Sequence, residues 1–127
     1  MNLPPEVVPP VYLEQCNRGI IESALASPAA GFGTFEKYPD LSAKAAVLTY
    51  SLAKSQACID GNKRLALILL NEFLAINGVD LDMTNDEAAD LILFAADSDP
   101  AYRDQTILEL TTRLEPALHE TIDGQGA

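Results

Sequence analysis

A long apolar segment that begins at Asp60-Gly61 and stops at Asn77-Gly78 constrains the fold of this chain more than any other feature. Apolar residues recur in it every three or four positions, which is the period of an α-helix. The positions between them are apolar as well, namely Ala66, Leu67, Ile68 and Leu70. Because a helix that is apolar almost all round is buried, we predict an all-α bundle with this helix at its centre.

Four further segments have the same spacing and predict four more helices. Their bounds are Tyr12 to Ala26, Leu41 to Ser55, Thr84 to Asp97, and Ala101 past Pro116 to Leu118. Asp40 or Ser42 can cap the second of the five helices. Thr84 and Glu87 form a capping box, in which each side chain accepts a backbone N–H of the other residue. Val79 to Met83 is short and ambiguous, and convincing strand alternation is otherwise absent.

The length of 127 residues and the 48% hydrophobic content predict one domain over residues 1–127 with one core. Closely spaced prolines predict an extended arm over residues 1–10, and residues 124–127 read as a frayed tail. The net charge of -11 repels phosphate backbones, which argues against nucleic-acid and anionic-membrane binding. No apolar stretch approaches the ~20 residues that cross a bilayer.

The two cysteines, Cys16 and Cys58, are far apart in a chain whose first residues do not resemble a signal peptide. We therefore expect a cytoplasmic protein with reduced thiols.

Five residues with ligand-binding chemistry stand where the apolar helix begins: Asp60, Gly61, Asn62, Lys63 and Arg64. The first turn of a helix binds phosphate through its backbone N–H groups and partial positive charge. Lys63 and Arg64 add two cations, Gly61 leaves room for the approach, and Asp60 can hold a magnesium ion. The structural alternative is an Asp60 N-cap beside two solvated cations. The helix dipole disfavours cations in the first turn, so two adjacent cations there suggest that a bound anion offsets them. The anion site and the structural alternative are therefore about equally probable.

The same stretch resembles the Fic/Doc family, which includes death-on-curing toxins. The family motif reads His-x-Phe-x-Asp/Asn-Gly/Ala-Asn, followed by Lys-Arg in the Doc branch and Gly-Arg in the Fic branch. The matching residues here are Gln56-Ala57-Cys58-Ile59-Asp60-Gly61-Asn62-Lys63-Arg64. The Lys63-Arg64 ending and the apolar Leu67 are similar to Doc, and the similarity extends over about half of the chain.

This resemblance implies transfer of a phosphoryl or AMP group from ATP, with magnesium, to a hydroxyl of a target protein such as elongation factor Tu. It implies that Asp60 organises the metal, that Gly61 and Asn62 form the anion-binding helix start, and that Lys63 and Arg64 hold the phosphates. The aromatic loop from Ala29 to Asp40 corresponds to the family's target-binding flap, with Phe32, Phe35 and Tyr38. The family also implies an antitoxin partner whose disordered tail folds onto the toxin.

Gln56 occupies the position of the family's catalytic histidine. A neutral amide cannot take a proton from the attacking hydroxyl, and loss of a general base costs about 100- to 10,000-fold in rate. Cys58 replaces the family phenylalanine and is interpreted as a buried filler rather than a nucleophile. Several departures in this stretch favour natural divergence over an engineered change. His119, which is the only histidine, is expected at the surface without a catalytic role.

Two functions therefore remain open in addition to an accidental motif on a structural domain. The first is a Doc-like toxin with impaired transferase activity. The second is an inactive module that acts by binding an antitoxin-like or other protein partner.

Overall fold

Five α-helices make up most of the structure. The computed structural model of the chain describes residues 13–29, 31–32, 35–36, 40–56 and 61–121. Over these residues the helices are α1 (Arg18–Ala26), α2 (Leu41–Ser55), α3 (Asn62–Ile76), α4 (Asn85–Asp97) and α5 (Arg103–Leu114). Two short antiparallel pairs join β1 (Gly31–Phe32) to β2 (Phe35–Glu36) and β3 (Val79–Leu81) to β4 (Leu118–Glu120). The predicted all-α class is confirmed.

Side-chain caps determine where two of the helices begin. The Oδ1 atom of Asn17 accepts a hydrogen bond of 3.1 Å from the backbone N–H of Ile20. For this reason α1 begins at Arg18 rather than at Tyr12, and Leu13–Gln15 form a separate 3-10 turn. At α4 the predicted capping box is confirmed, because Glu87 N donates to Thr84 Oγ1 at 3.1 Å and Thr84 N donates to Glu87 Oε1 at 2.8 Å.

The central helix is α2, so the prediction that the helix beginning at Asp60-Gly61 would be central is wrong. α2 contacts α1, α3, α4 and α5, and its side chains are buried from Ala45 through Tyr50. Its many small residues let four helices approach closely. α3 buries only part of its surface, because Ile68 is 46% exposed and Ile76 is 80% exposed.

A half-buried lysine ties α2 to the end of α4. The Nζ atom of Lys54 donates to the carbonyl oxygen of Ala96 at 3.1 Å and also to that of Ser98. It lies 5.9 Å from the centre of the Tyr50 ring. Because the last carbonyls of a helix carry partial negative charge, Lys54 stabilises the C-terminal end of α4 against the central helix.

The end of the described chain forms a strand where the sequence predicted helix. Leu118 pairs with Leu81, and His119 pairs with Asp80. The helical spacing of Leu118 was misleading, because Glu115–Ala117 tighten into a 3-10 turn at Pro116 and the chain then pairs with β3. The prediction of a surface His119 is confirmed, since its side chain is 58% exposed and its Nε2 lies 3.4 Å from Asp82 Oδ2.

The segment predicted as an aromatic loop contains a short hairpin. β1 and β2 are antiparallel, with Gly31 opposite Glu36 and Phe32 opposite Phe35. Tyr38 lies outside the described residues, as do the predicted arm over 1–10, the tail over 124–127 and the motif residues 57–60. Within the described ranges, no helix is long and apolar enough to cross a membrane.

Candidate functional site

Gln56 occupies an unusual backbone conformation at the end of α2. Its φ of 50° and ψ of 37° are left-handed, and it is the only non-glycine residue with positive φ in the described part of the chain. This conformation costs an L-residue about 1–2 kcal/mol, and such costs concentrate at functional sites. The side chain is exposed. The position predicted for the catalytic base is therefore presented to solvent by a strained turn.

Gly61 opens α3 in a conformation that requires glycine. Its φ is 88° and its ψ is 15°, and it is the N-cap of the helix. Its carbonyl oxygen accepts the first helical hydrogen bond from Leu65 N at 2.9 Å. The structure thus places Gly61 rather than Asp60 at the N-cap, which contradicts the N-cap part of the structural alternative for the motif. Because glycine has no side chain, the residue at the N-cap offers no side-chain acceptor to the first N–H groups of the helix.

The first turn of α3 carries two cations and no acid. Lys63 is exposed, whereas Asn62 and Arg64 are half-buried, and the Nε atom of Arg64 is buried. α4 shows the opposite and ordinary arrangement, with acidic residues in its first turn. Since the positive end of a helix repels cations, the charges of Lys63 and Arg64 add to the field of the helix instead of offsetting it. No acidic residue within this first turn offsets the two charges, although the whole chain has a net charge of -11.

The two helices that carry these residues are held together by the core. α2 packs against α3, with Leu52, Ala53, Leu65 and Ala66 all buried. Helices joined by a short connection lie side by side and antiparallel, and only residues 57–60 separate Gln56 from Gly61. Gln56 and the start of α3 are therefore fixed at the same end of the bundle.

The structure gives less information on the predicted metal ligand and the predicted target-binding flap. Asp60, the predicted metal ligand, and Tyr38 lie outside the described residues. Phe32 and Phe35 are backbone partners in the register of the β1–β2 hairpin. In the part of the chain that the structure describes, no three histidine, cysteine or acidic residues cluster as a metal site would require. The magnesium site at Asp60 stays a prediction.

The structure has a serine-lined groove, which includes Ser55, the residue before Gln56, and which was not predicted from the sequence. The groove, of about 490 Å³, lies between α1 and α2 and is lined by Asn17, Gly19, Ile20, Ser23, Ala24, Ser27, Ser51 and Ser55. Ser27 Oγ and Ser55 Oγ donate to carbonyl oxygens of their own helices, at 2.6 and 2.9 Å. The spacing of four residues between serines in each helix was the available signal.

The oxidation state of one cysteine also differs from the prediction. Cys16, just before α1, is disulfide-bonded, so the expectation of reduced thiols is wrong for this residue. Sequence alone does not determine whether a thiol pairs, because pairing depends on a close approach of two chain segments.

The left-handed Gln56 and the glycine-opened basic start of α3 lie in a segment that matches a known family. The model of the Fic/DOC family matches residues 6–74, and the chain belongs to this family. The match includes α1, α2 and nearly all of α3, and therefore the whole candidate site.

The chain is also similar to a curated protein whose name belongs to this family. The chain is 45% identical over 76 residues to the protein "Toxin Doc" of Mycolicibacterium smegmatis (strain ATCC 700084 / mc(2)155). The alignment covers 58% of this chain and 58% of that protein, so the chain spans less than two thirds of the relative's length. No solved structure matches the chain significantly.

Proposed function

We propose that this chain is a Doc-like toxin of a toxin–antitoxin system, which binds ATP with magnesium at the start of α3. The observation that carries the proposal is the first turn of α3, which opens on a left-handed Gly61 and bears Lys63 and Arg64 without an acid. Membership of the Fic/DOC family and the similarity to a protein named Toxin Doc support the same function.

In the proposed site, both backbone N–H groups and side chains bind phosphate. Backbone N–H groups of the first turn of α3 bind phosphate oxygens, and Gly61 allows the close approach. Lys63 supplies a point charge and Arg64 a planar, two-pronged donor. Asp60 would hold the magnesium ion, which neutralises charge on the bridging phosphates. The strong local field compensates for the repulsion that an acidic chain exerts on ATP.

The proposed reaction is transfer of a phosphoryl or AMP group to a serine or threonine hydroxyl of a target protein, such as elongation factor Tu, in the cytoplasm. The β1–β2 hairpin, with Phe32, Phe35 and the neighbouring Tyr38, would align the target. Gln56 can accept a hydrogen bond from the attacking hydroxyl but cannot remove its proton. We therefore expect transfer to be slower by about 100- to 10,000-fold than with a histidine.

The position of Gln56 supports a second candidate function. Gln56 stands where the family has its catalytic base, and its side chain cannot act as a base. This arrangement also suits a protein that keeps the fold but has lost catalytic activity. Such a module would act by binding an antitoxin-like partner or another protein. For the toxin, we propose that the partner is an antitoxin.

Calorimetry with ATP and magnesium tests the nucleotide site on the chain as given, on Gln56→His and on Lys63→Ala. We expect the first two to bind alike, and Lys63→Ala to bind about ten- to hundredfold more weakly, because a charge-assisted hydrogen bond is lost. Arg113→Ala is the matched control, because it removes the same charge from the last turn of α5, in a pocket that Asp82 and Glu87 also line. Failure of all variants to bind at millimolar ATP would contradict the proposal.

Transfer of labelled phosphate to elongation factor Tu then separates the two candidate functions. Label transfer by Gln56→His alone indicates a transferase site that lacks only its base. If nucleotide binds to both proteins and neither transfers label, the binding-module function is favoured. In that case, partner binding should survive Lys63→Ala.

A further inference from the structure

Lys54 stands two residues before Gln56, in the last turn of α2, and its ammonium group binds the end of α4. We propose that Lys54 is a positioning residue of the candidate site. By fixing the last turn of α2 to the end of α4, it holds Gln56 in its left-handed conformation. The inference rests on the proposed function, in which Gln56 faces the attacking hydroxyl, and it adds α4 to the elements that build the site.

The contacts of Lys54 join segments that are far apart in the sequence. Its Nζ atom donates to the carbonyl oxygens of Ala96 and Ser98, which lie 42 and 44 residues further along the chain. The same atom lies 5.9 Å from the centre of the Tyr50 ring, one turn earlier in α2. Both acceptors lie outside residues 6–74, which match the family model. The position of the last turn of α2 therefore depends on a helix beyond the matched segment.

The end of α4 has a defined position from which Lys54 can act. Ser98 is the C-cap of α4, and its N–H and its hydroxyl both donate to the carbonyl oxygen of Ala95, at 3.3 and 2.7 Å. Ala95 and Ile92 are 0% and 1% exposed, and α4 packs against α2. Because the two acceptors belong to a closed helix end with a buried inner face, the hydrogen bonds of Lys54 restrain α2.

The conformation of Gln56 requires such a restraint. Its φ is 50°, and a left-handed backbone persists at a residue other than glycine only where the surrounding structure imposes it. Last turns of helices also fray, because their final carbonyl groups lack partners within the helix. The hydroxyl of Ser55 donates to Leu52 within α2, whereas Lys54 reaches another helix. Since two residues of chain span at most about 7 Å, release of Lys54 would also release Gln56.

A role of Lys54 in stabilising α4 alone predicts a different energetic pattern. In that case the effects of changing Lys54 and Gln56 on the free energy of unfolding would be independent. Glycine adopts a left-handed backbone without the clash of a Cβ atom, so Gln56→Gly should stabilise a protein in which Lys54 imposes that conformation. In Lys54→Met the turn can relax, and the same change should stabilise less. A double-mutant cycle measures this difference.

Urea unfolding without ligand gives the cycle on the full chain. We expect Gln56→Gly to lower the equilibrium constant of unfolding about threefold more when Lys54 is present than in Lys54→Met. Lys54→Arg, which keeps a cation with several donors, should restore part of this coupling. If Lys54→Met does not fold, Lys54→Gln takes its place in the cycle.

Thr84→Ala is the matched control, because it weakens α4 at its other end. α4 has 13 residues, so its ends are about 20 Å apart. Changes at that separation are independent. The effect of Thr84→Ala should therefore add to that of Gln56→Gly within about twofold in the equilibrium constant.

Transfer kinetics give a second measurement, which a structural role alone would not change. In the Gln56→His protein, adding Lys54→Met should slow transfer of labelled phosphate to elongation factor Tu about ten- to hundredfold, because a small misplacement of a reacting group has a cost of this size. The Kd of Mg–ATP should stay the same, since the proposed phosphate site lies at the start of α3. Thr84→Ala should change neither quantity.

The outcomes separate this inference from the proposed function. Effects of Lys54→Met and Gln56→Gly that add within about twofold would overturn the positioning role and leave the nucleotide site in place. Unchanged transfer by Gln56→His after Lys54→Met is added would overturn it as well. Absence of Mg–ATP binding by every variant would overturn the proposed function, and the ligand-free cycle would still decide whether Lys54 holds Gln56.

Discussion

Replacing Lys63 by glutamine should change stability and nucleotide binding in opposite directions. Lys63 is the second residue of α3 and is exposed, so its charge faces the positive end of the helix. Removing an unfavourable charge from a first turn gains about 0.3–1 kcal/mol, and glutamine has nearly the helix propensity of lysine. We expect the ligand-free protein to be stabilised by that amount. Nucleotide affinity should fall about ten- to hundredfold, because a charge-assisted hydrogen bond is lost.

Arg113→Gln provides the matched control, because it removes the same charge from the last turn of α5. There the helix dipole favours a cation, the Nε atom of Arg113 pairs with Glu109 Oε2 at 2.8 Å, and the guanidinium lies 4.3 Å from the Phe94 ring centre. This change should destabilise the protein by about 0.5–1.5 kcal/mol and leave nucleotide affinity unchanged.

Urea unfolding without ligand and calorimetry with Mg–ATP measure both effects at 0.15 M salt. Because both variants make the net charge one unit more negative, general repulsion affects them equally. If Lys63→Gln destabilised the protein as much as Arg113→Gln, Lys63 would be a structural residue. If its nucleotide affinity were unchanged, the proposed role of Lys63 in phosphate binding would be refuted.

Three further changes test individual contacts, each by urea unfolding. Lys54→Met keeps the apolar stem of the side chain but removes the hydrogen bonds to Ala96 and Ser98. It should lower the free energy of unfolding by about 1–3 kcal/mol. A loss below about 0.5 kcal/mol would show that the end of α4 does not depend on Lys54. Gly61→Ala should cost about 1–2 kcal/mol, because alanine is strained at a φ of 88°, and should also weaken Mg–ATP binding in calorimetry. Thr84→Ala breaks the capping box and should cost about 1 kcal/mol without changing nucleotide affinity.

Local sequence signals predicted several helix ends, although the Asn17 cap at the start of α1 was missed. The Thr84–Glu87 box, the stop of α1 before Ser27-Pro28 and the stop of α3 at Asn77-Gly78 each involve residues within a few positions of one another. Such signals depend on backbone groups that the neighbouring side chains can reach. They could be interpreted without knowledge of the rest of the fold.

Features that depend on distant contacts were missed. Leu118 has helical spacing but pairs with Leu81, 37 residues earlier in the chain. The central position of α2 was also missed. The prediction was based on hydrophobicity, which is highest for the large apolar side chains of α3. Close approach of several helices instead favours small side chains such as Ala45 and Ala46. Both outcomes depend on which surfaces meet in three dimensions.

The candidate site was predicted as a set of residues but not as a geometry. The motif predicted a basic helix start at Gly61, and in the structure Gly61 is the N-cap of α3. The left-handed backbone of Gln56 could not be predicted, because glutamine has no preference for that conformation.

The central position of α2 has a consequence for the cooperativity of folding. Residues 6–74, which match the family, contain α2 with α1 and α3, but the other two neighbours of α2 come from α4 and α5. A fragment cut after residue 74 would lack two of the helices that pack against α2 and would expose part of the buried surface of α2. The segment that matches the family model is therefore smaller than the set of helices that buries α2. Amide hydrogens of α2 should exchange only through global unfolding.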